Sequence, residues 1–313
     1  MNTGIGMPVV RKEDLRLLTG KACFSDDVNL PGQAYAVMLR SPHAHARIGR
    51  IDAAQAMSAA GALAVLTGAD FLADGLQSIP HKPVLPSPPD IRLANRDGSQ
   101  IYVAPHYPLP ADKARFVGEA IAMVVAESLQ AARDAAELVQ IDYEPLASVT
   151  GTAAAAKTDA PLVWEERASN VCVDAEFGNA AATLAEFARA AHVVRLDTWI
   201  QRVTAVPMEP RAAVGAWDAI TKRHTLYAGS GGVVRQKREL AWILGVDENA
   251  VRVVSRDVGG NFGTRNSFPP EFALVVWAAR RLGRPVKWTG ERHEAFLADY
   301  QGRDLAVGAE LAL

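Results

Sequence analysis

The stretch Asp257-Val258-Gly259-Gly260-Asn261-Phe262-Gly263-Thr264-Arg265-Asn266 constrains this chain more than any other. A β-branched run, Val251-Arg252-Val253-Val254, precedes it, and an apolar run opening at Phe268-Pro269-Pro270-Glu271 follows. A strand must end and a helix begin across a turn built mostly of glycine. Three glycines around one phenylalanine let backbone N–H groups approach an anionic ligand while an aromatic face covers it. The residues alone leave two readings open: a ligand-binding loop, or a tight turn that binds nothing. A dinucleotide fingerprint needs Gly-x-Gly-x-x-Gly opening a helix, and a phosphate loop needs its Lys. Neither pattern is present, so a nucleotide-binding protein is disfavoured.

Composition narrows the class. In 313 residues, 49% hydrophobic and 22% charged, there is enough apolar mass for one large or two ordinary domains. The net charge of −2 is spread along the chain, with neither a basic stripe for nucleic acid nor an acidic tail. Cys23 and Cys172 are too few for a disulfide framework or a structural zinc site, and no basic neighbour activates Cys172. Both are expected to be inert packing residues. The start, Met1-Asn2-Thr3-Gly4, carries no apolar export signal, so a reducing cytoplasm is the expectation. No membrane span is expected, because no window approaches the ~20 apolar residues one needs.

The pattern of elements is mixed. Strands are predicted over 33–40, 62–66, 120–126, 141–143, 192–201, 212–217 and 224–228. Helices are predicted over 52–57, capped by Asp52, and over 128–138, capped by Ser128. The second should bury Ala131, Ala135, Leu138 and Val139. Further helices follow at 181–190, at 235–244 ended by Gly245, and at 272–282 ended by Gly283. Residues 79–110, rich in Pro and turn residues, read as an irregular insertion. The Ala/Thr/Gly/Lys-rich stretch 148–160 reads as a linker between domains at 1–147 and 161–313. At the end, Leu305, Val307, Ala309, Leu311 and Leu313 alternate like a strand with no visible partner. That pattern suggests a longer polypeptide, or a separate chain completing the sheet.

Other candidate groups have plain structural explanations. His43 and His45 could form a metal pair on a strand, but no third ligand lies near, and hydrogen-bonded histidines explain them better. Glu209 and Arg211, held between prolines, read as an ion pair at a domain seam rather than a pocket pair. Arg280, Arg281 and Arg284 suit a helix C-terminus. Glu119 could be a catalytic acid but has no second carboxylate against it. No nucleophile triad and no metal set emerges, so the residues by themselves name no reaction.

Taken together, the motifs resemble the large subunits of the molybdenum hydroxylases: the xanthine dehydrogenase, aldehyde oxidase and aerobic carbon monoxide dehydrogenase group. Gly259-Gly260-Asn261-Phe262-Gly263 is similar to that family's Gly-Gly-Phe-Gly loop. The opening turn at 20–31 with Asp26-Asp27, Arg40-Ser41-Pro42-His43-Ala44-His45-Ala46, Val117-Gly118-Glu119-Ala120-Ile121-Ala122 and Asp142-Tyr143-Glu144-Pro145-Leu146 match in order. Met208-Glu209-Pro210-Arg211 and Leu282-Gly283-Arg284-Pro285-Val286-Lys287-Trp288 continue the match.

The resemblance implies an α+β architecture: an α/β-hammerhead domain over 1–147, then the first part of a molybdopterin-binding domain. It implies a molybdenum–molybdopterin cofactor in the cytosine dinucleotide form, with FAD on a medium subunit and 2Fe-2S clusters on a small subunit. The implied reaction hydroxylates an aldehyde, N-heterocycle or similar small substrate with water-derived oxygen. The implied cofactor-binding residues are Gly259, Gly260, Asn261, Phe262, Gly263 and Gly231, with Asn266 toward substrate. Two departures matter. Gly229-Ser230-Gly231-Gly232 stands where many members carry a glutamine, and Asn266 stands where purine-oxidising members carry a glutamate. A purine substrate is therefore not implied. The family's glutamate base falls beyond this chain, so no catalytic residue is assigned. Alone, the chain is expected to be inactive; its expected partner is a polypeptide carrying the C-terminal half. The alternative is a degenerate remnant acting only as an assembly or binding module.

Overall fold

The computed structural model describes residues 4–81 and 93–313. The strands, in chain order, are β1 (Ala34–Arg40), β2 (Ala46–Asp52), β3 (Ala62–Thr67), β4 (Lys113–Ala114), β5 (Ala120–Ala126), β6 (Gln140–Pro145), β7 (Val193–Ile200), β8 (Ala212–Asp218), β9 (Arg223–Ala228), β10 (Val251–Val254), β11 (Val286–Thr289) and β12 (Leu305–Ala312). The helices are α1 (Asp14–Leu18), α2 (Ala54–Ser58), α3 (Gly68–Ala73), α4 (Leu129–Glu137), α5 (Thr152–Ala155), α6 (Ala180–Arg189), α7 (Val233–Leu244), α8 (Pro270–Leu282) and α9 (Arg292–Ala298).

A seven-stranded mixed sheet in the order β10-β9-β8-β11-β1-β5-β3 organises the molecule. Strand β5, held between β1 and β3, is buried along its whole length, as its unbroken apolar run requires. The sheet joins distant parts of the sequence. Parallel pairing of β1 with β11 sets Ala34 against Val286, so residues from before 147 and after 161 share one sheet and one core. Helix α8 covers one face and buries Glu271 through Ala279. It lies so close that a Cβ at Gly215 on β8 would stand 2.3 Å from the Val275 carbonyl oxygen. Only glycine permits that approach. Gly245 and Gly283 end α7 and α8 in the left-handed conformation, as the sequence predicts.

Several expectations change. The C-terminal strand does have a partner: β12 pairs antiparallel with β7 over its full length, from Leu305–Ile200 to Ala312–Val193. The alternating pattern gave the strand but could not reveal a partner more than a hundred residues away. The buried face of α4 is Ala132, Ala135 and Ala136, while Leu138 lies outside on the surface. The small side chains face the sheet because α4 packs close to it. Residues 148–160, read as featureless, hold α5, whose Thr152 donates from N and Oγ1 to Asp304 Oδ2 at 3.1 and 2.7 Å. Part of the 79–110 insertion, 82–92, lies outside the described residues. Elsewhere in it, Ile79 bridges His106.

Candidate functional site

The glycine loop leaves β10, turns through 255–263 and reaches α8 by a short 3-10 turn, Thr264–Asn266. Glu209 anchors it. Its Oε2 accepts the Gly259 N–H at 2.7 Å, and its Oε1 accepts the Ser25 N–H at 3.0 Å. The Glu209 amide returns a bond to the Gly259 carbonyl at 3.3 Å. Buried Arg265 donates to the Glu209 carbonyl at 2.5 Å and stands 3.5 Å from its carboxylate. One carboxylate thus ties the opening turn, the loop and the following helix together. A Cβ at Gly259 would meet the Glu209 Cβ at 2.5 Å, so a side chain there would break the anchor.

Asp257, at the loop's entry, bonds the Arg16 guanidinium through both carboxylate oxygens, one contact at 2.6 Å, and accepts the Cys23 N–H at 2.8 Å. The Arg16 hydrogen bond, with that of Cys23, holds its carboxyl down at about 2. Sequence reasoning missed both anchors. It paired Glu209 with Arg211, but Arg211 turns the other way, to Glu271 at 3.4 Å and Asp299 at 2.5 Å. Arg40 adds bonds of 2.7 Å to Glu271 and to Glu294, which completes a buried ionic ladder across the seam. Burial pushes Glu271 up, yet Arg211 and Arg40 outweigh it and hold it below the usual carboxylate range.

The loop's tip is exposed. Phe262 is 77% accessible and adopts a left-handed φ of +47°, a costly conformation for an aromatic residue. At Gly260, φ +117°, a Cβ would crowd the Phe262 ring at 2.9 Å and Pro207 at 3.1 Å. The amides of Gly260, Asn261 and Phe262 have no acceptor among the described residues, whereas those of Gly259 and Gly263 do. Gly231 lies against the loop: its N–H donates to the Arg265 carbonyl at 3.0 Å. The adjacent N-terminus of α7, at Gly232, has no side-chain cap. Asn266 is exposed and bonds Asn261. The structure therefore brings together Gly231, the residues 259–263 and Asn266.

These groups suit a flat, anionic, oxygen-rich ligand. Three neighbouring free N–H donors, a helix N-terminus and an exposed ring offer recognition without metal-ligating side chains. Behind them the buried Arg265 keeps Nε and Nη1 unpartnered, as does the Ser25 hydroxyl, and both line Gly229. Desolvation draws the Arg265 pKa down despite the Glu209 charge.

Of the remaining candidates, only Cys23 shares the loop's bonds, through Asp257. His45 shares a 3.1 Å hydrogen bond through Nδ1 with the Ala147 carbonyl, and His43 packs edge-on against Tyr143. They sit in a bend before β2, not on a strand. Glu119 is buried; its Oε2 accepts the Arg115 N–H at 2.6 Å, and desolvation raises its pKa to about 7. Cys172 is exposed, and Cys23 is half-buried with Arg256 Nη1 3.4 Å from its sulfur, so neither is simply packed away. Arg281 bonds Asp74 at 2.9 Å, Arg284 bonds the Gly32 carbonyl at 2.8 Å, and Arg280 sits 5.5 Å over Trp217. Each arginine of that cluster has its own partner beyond the helix dipole.

Comparison with known proteins agrees with the loop's context. Residues 19–147 match the a/b hammerhead domain of aldehyde oxidase and xanthine dehydrogenase, and residues 163–313 match the molybdopterin cofactor-binding domain. The chain belongs to the molybdenum hydroxylase large-subunit family. It is 34% identical to the 6-hydroxypseudooxynicotine dehydrogenase complex subunit gamma of Paenarthrobacter nicotinovorans, over 99% of this chain and 37% of that one. It is 32% identical to the carbon monoxide dehydrogenase large chain of Afipia carboxidovorans, with the same coverages. Among solved structures, quinoline 2-oxidoreductase from Pseudomonas putida 86 superposes with a TM-score of 0.84 at 36% identity, over 98% of this chain and 37% of that one. The chain thus spans little more than a third of the length of these relatives. Among the described residues, no helix is long and apolar enough to cross a membrane.

Proposed function

We propose that this chain forms the loop-bearing part of a molybdopterin-binding subunit in a multi-subunit oxidoreductase. The reaction is hydroxylation of an aldehyde, N-heterocycle or similar small substrate with oxygen from water. The observation that carries the reading is the row of free amides at Gly260, Asn261 and Phe262 beneath an exposed ring, in a chain of this family. Gly259 and Gly263 shape that row, and Gly231 leaves room beside it for the Asn261 and Asn266 side chains. When bound, the molybdenum–molybdopterin group, in its cytosine dinucleotide form, supplies oxygen transfer and accepts two electrons.

This chain's own residues hold and orient. The three amides bind oxygen atoms of the group, and the positive end of α7 favours its negative charge. Glu209 and Arg265 keep the loop from rearranging when it does so. Phe262 limits water at the site, and Asn266 faces the substrate side. Electrons leave to FAD on a medium subunit and 2Fe-2S clusters on a small subunit. The catalytic base comes from the segment equivalent to the relatives' remaining length, and cytoplasmic placement goes with this assembly.

The exposed pair β7–β12 favours a second reading, an assembly module that docks a partner without metal chemistry. One experiment separates the two. The chain is co-expressed with a polypeptide carrying the remaining family segments, and molybdenum and pterin are measured in the purified complex. About one molybdenum per complex is expected; a stable complex without molybdenum would leave only the assembly module.

A further inference from the structure

The side chains around Gly231 fix the polarity of the hydrogen bonds that the site offers. The Gly263 N–H, which can only donate, points at Asn261 Oδ1 at 2.9 Å. That sets the Asn261 carboxamide: its oxygen is engaged, so its Nδ2 must face the other way. Asn261 Nδ2 then lies 3.1 Å from the Asn266 side chain, and the atom it meets must be the acceptor, Oδ1. With Oδ1 turned inward, Asn266 presents its NH2 group outward, and that NH2 has no acceptor among the described residues. The chain of bonds Gly263, Asn261, Asn266 thus starts at a backbone donor and ends in an exposed donor. Nothing along it can reverse while the backbone N–H stays in place.

Gly231 makes the arrangement fit. A Cβ at 231 would stand 2.0 Å from Asn266 Oδ1 and 2.6 Å from Asn261 Nδ2. The two carboxamides therefore fill the volume that a side chain at 231 would take.

We propose that the ligand group meeting Asn266 is a hydrogen-bond acceptor without a proton of its own, and that Asn261 is the positioning residue that sets this polarity. An unprotonated ring nitrogen, a carbonyl oxygen or an oxyanion fits. A ring N–H or a hydroxyl offered as donor does not. A carboxylate at 266 would present the opposite polarity, and an isolated asparagine would present either by flipping. The inference rests on the loop being the ligand site, as proposed above.

The test reads the two asparagine side-chain amides of the full chain by 15N–1H NMR. It uses pyridine N-oxide as a neutral acceptor-only probe, molybdate as an oxyanion, and pyrrole as a neutral donor-only probe. Asn266 NH2 resonances are expected to shift saturably with an acceptor and not with pyrrole. A response to pyridine N-oxide assigns the contact to a neutral substrate atom, and a response to molybdate alone assigns it to an oxyanion of the bound group. N261D keeps the bond from Gly263 but can only accept from Asn266. The Asn266 carboxamide then flips, affinity for pyridine N-oxide falls about tenfold and pyrrole begins to bind. N261Q, which restores the amide, recovers part of the acceptor preference. G231A, neutral in charge, abolishes the Asn266 response. If G231A does not fold, the surface variant N261D carries the test alone. An Asn266 amide that ignores both acceptors, or responds to pyrrole equally, or behaves identically in N261D, overturns the proposal. This readout needs no cofactor, so it can fail while the assembled complex still holds molybdenum, and the reverse is equally observable.

Discussion

The seven-stranded body and the β7–β12 ribbon are made of similar residues and do opposite things with them. In the body, β5 has every residue buried and α8 buries nine of its 13. In the ribbon, all eight residues of β7 are exposed, and the neighbouring α6 buries none. Yet β7 carries Val193, Val194, Leu196, Trp199 and Ile200, and Trp199 is 68% accessible. Two strands alone are marginal in water. Apolar content therefore tells where a chain needs cover, not whether its own residues provide it. In the body the cover is α8 and the sheet; among the described residues nothing covers the ribbon.

The comparison can be broken most forcefully by paired truncations. Phe272→Ala removes a buried ring from the inner face of α8 and is expected to cost about 3–5 kcal/mol in urea unfolding of the chain. Trp199→Ala, on the ribbon, is expected to change the same measurement by less than about 0.5 kcal/mol. In the co-expressed complex the second substitution should instead weaken association by about 2 kcal/mol or more, read by titration calorimetry. Equal losses from both variants in the isolated chain would erase the distinction between core and ribbon.

A smaller effect separates two carboxylates by pH. Glu119, buried with its pKa raised to about 7, favours the folded state only when protonated. Its contribution is full below the ordinary carboxylate range and is lost as pH rises toward 7, by on the order of 3 kcal/mol at most. Asp257, held down to about 2 by Arg16, behaves oppositely: its tether is present above the ordinary range and is lost only as pH falls toward 2. Urea midpoints between pH 4.5 and 7 should therefore flatten in Glu119→Gln and keep their slope in Asp257→Asn. The smallest expected effect is local: Asp257→Asn should speed hydrogen exchange at Cys23 without moving the unfolding midpoint. A shifted midpoint would make that tether part of the core.

Much of this was legible in the sequence where local rules operate. The Val251-Arg252-Val253-Val254 strand, the glycine turn and the Pro269-Pro270 helix start are dictated by residues adjacent to one another. Gly245 and Gly283 marked helix ends for the same reason. What stayed hidden is contact at long separation. The Glu209 anchor joins residues 25, 209, 259 and 265, and the motif around it suggested a bond to Arg211 because the two are neighbours in sequence. The partner of β12 was hidden likewise, since β7 lies more than a hundred residues earlier. The Asn261–Asn266 pair was visible as two residues of the loop; its dependence on Gly231 is geometric and has no local signal.

The central claim is that the amides at 260–262 meet the bound group. Amide hydrogen exchange of the peptide spanning 257–266, in the assembled complex with and without cofactor, tests it most directly. Slowed exchange at Gly260, Asn261 and Phe262 in the loaded complex alone is the predicted result. Identical exchange in loaded and unloaded complexes would contradict the account.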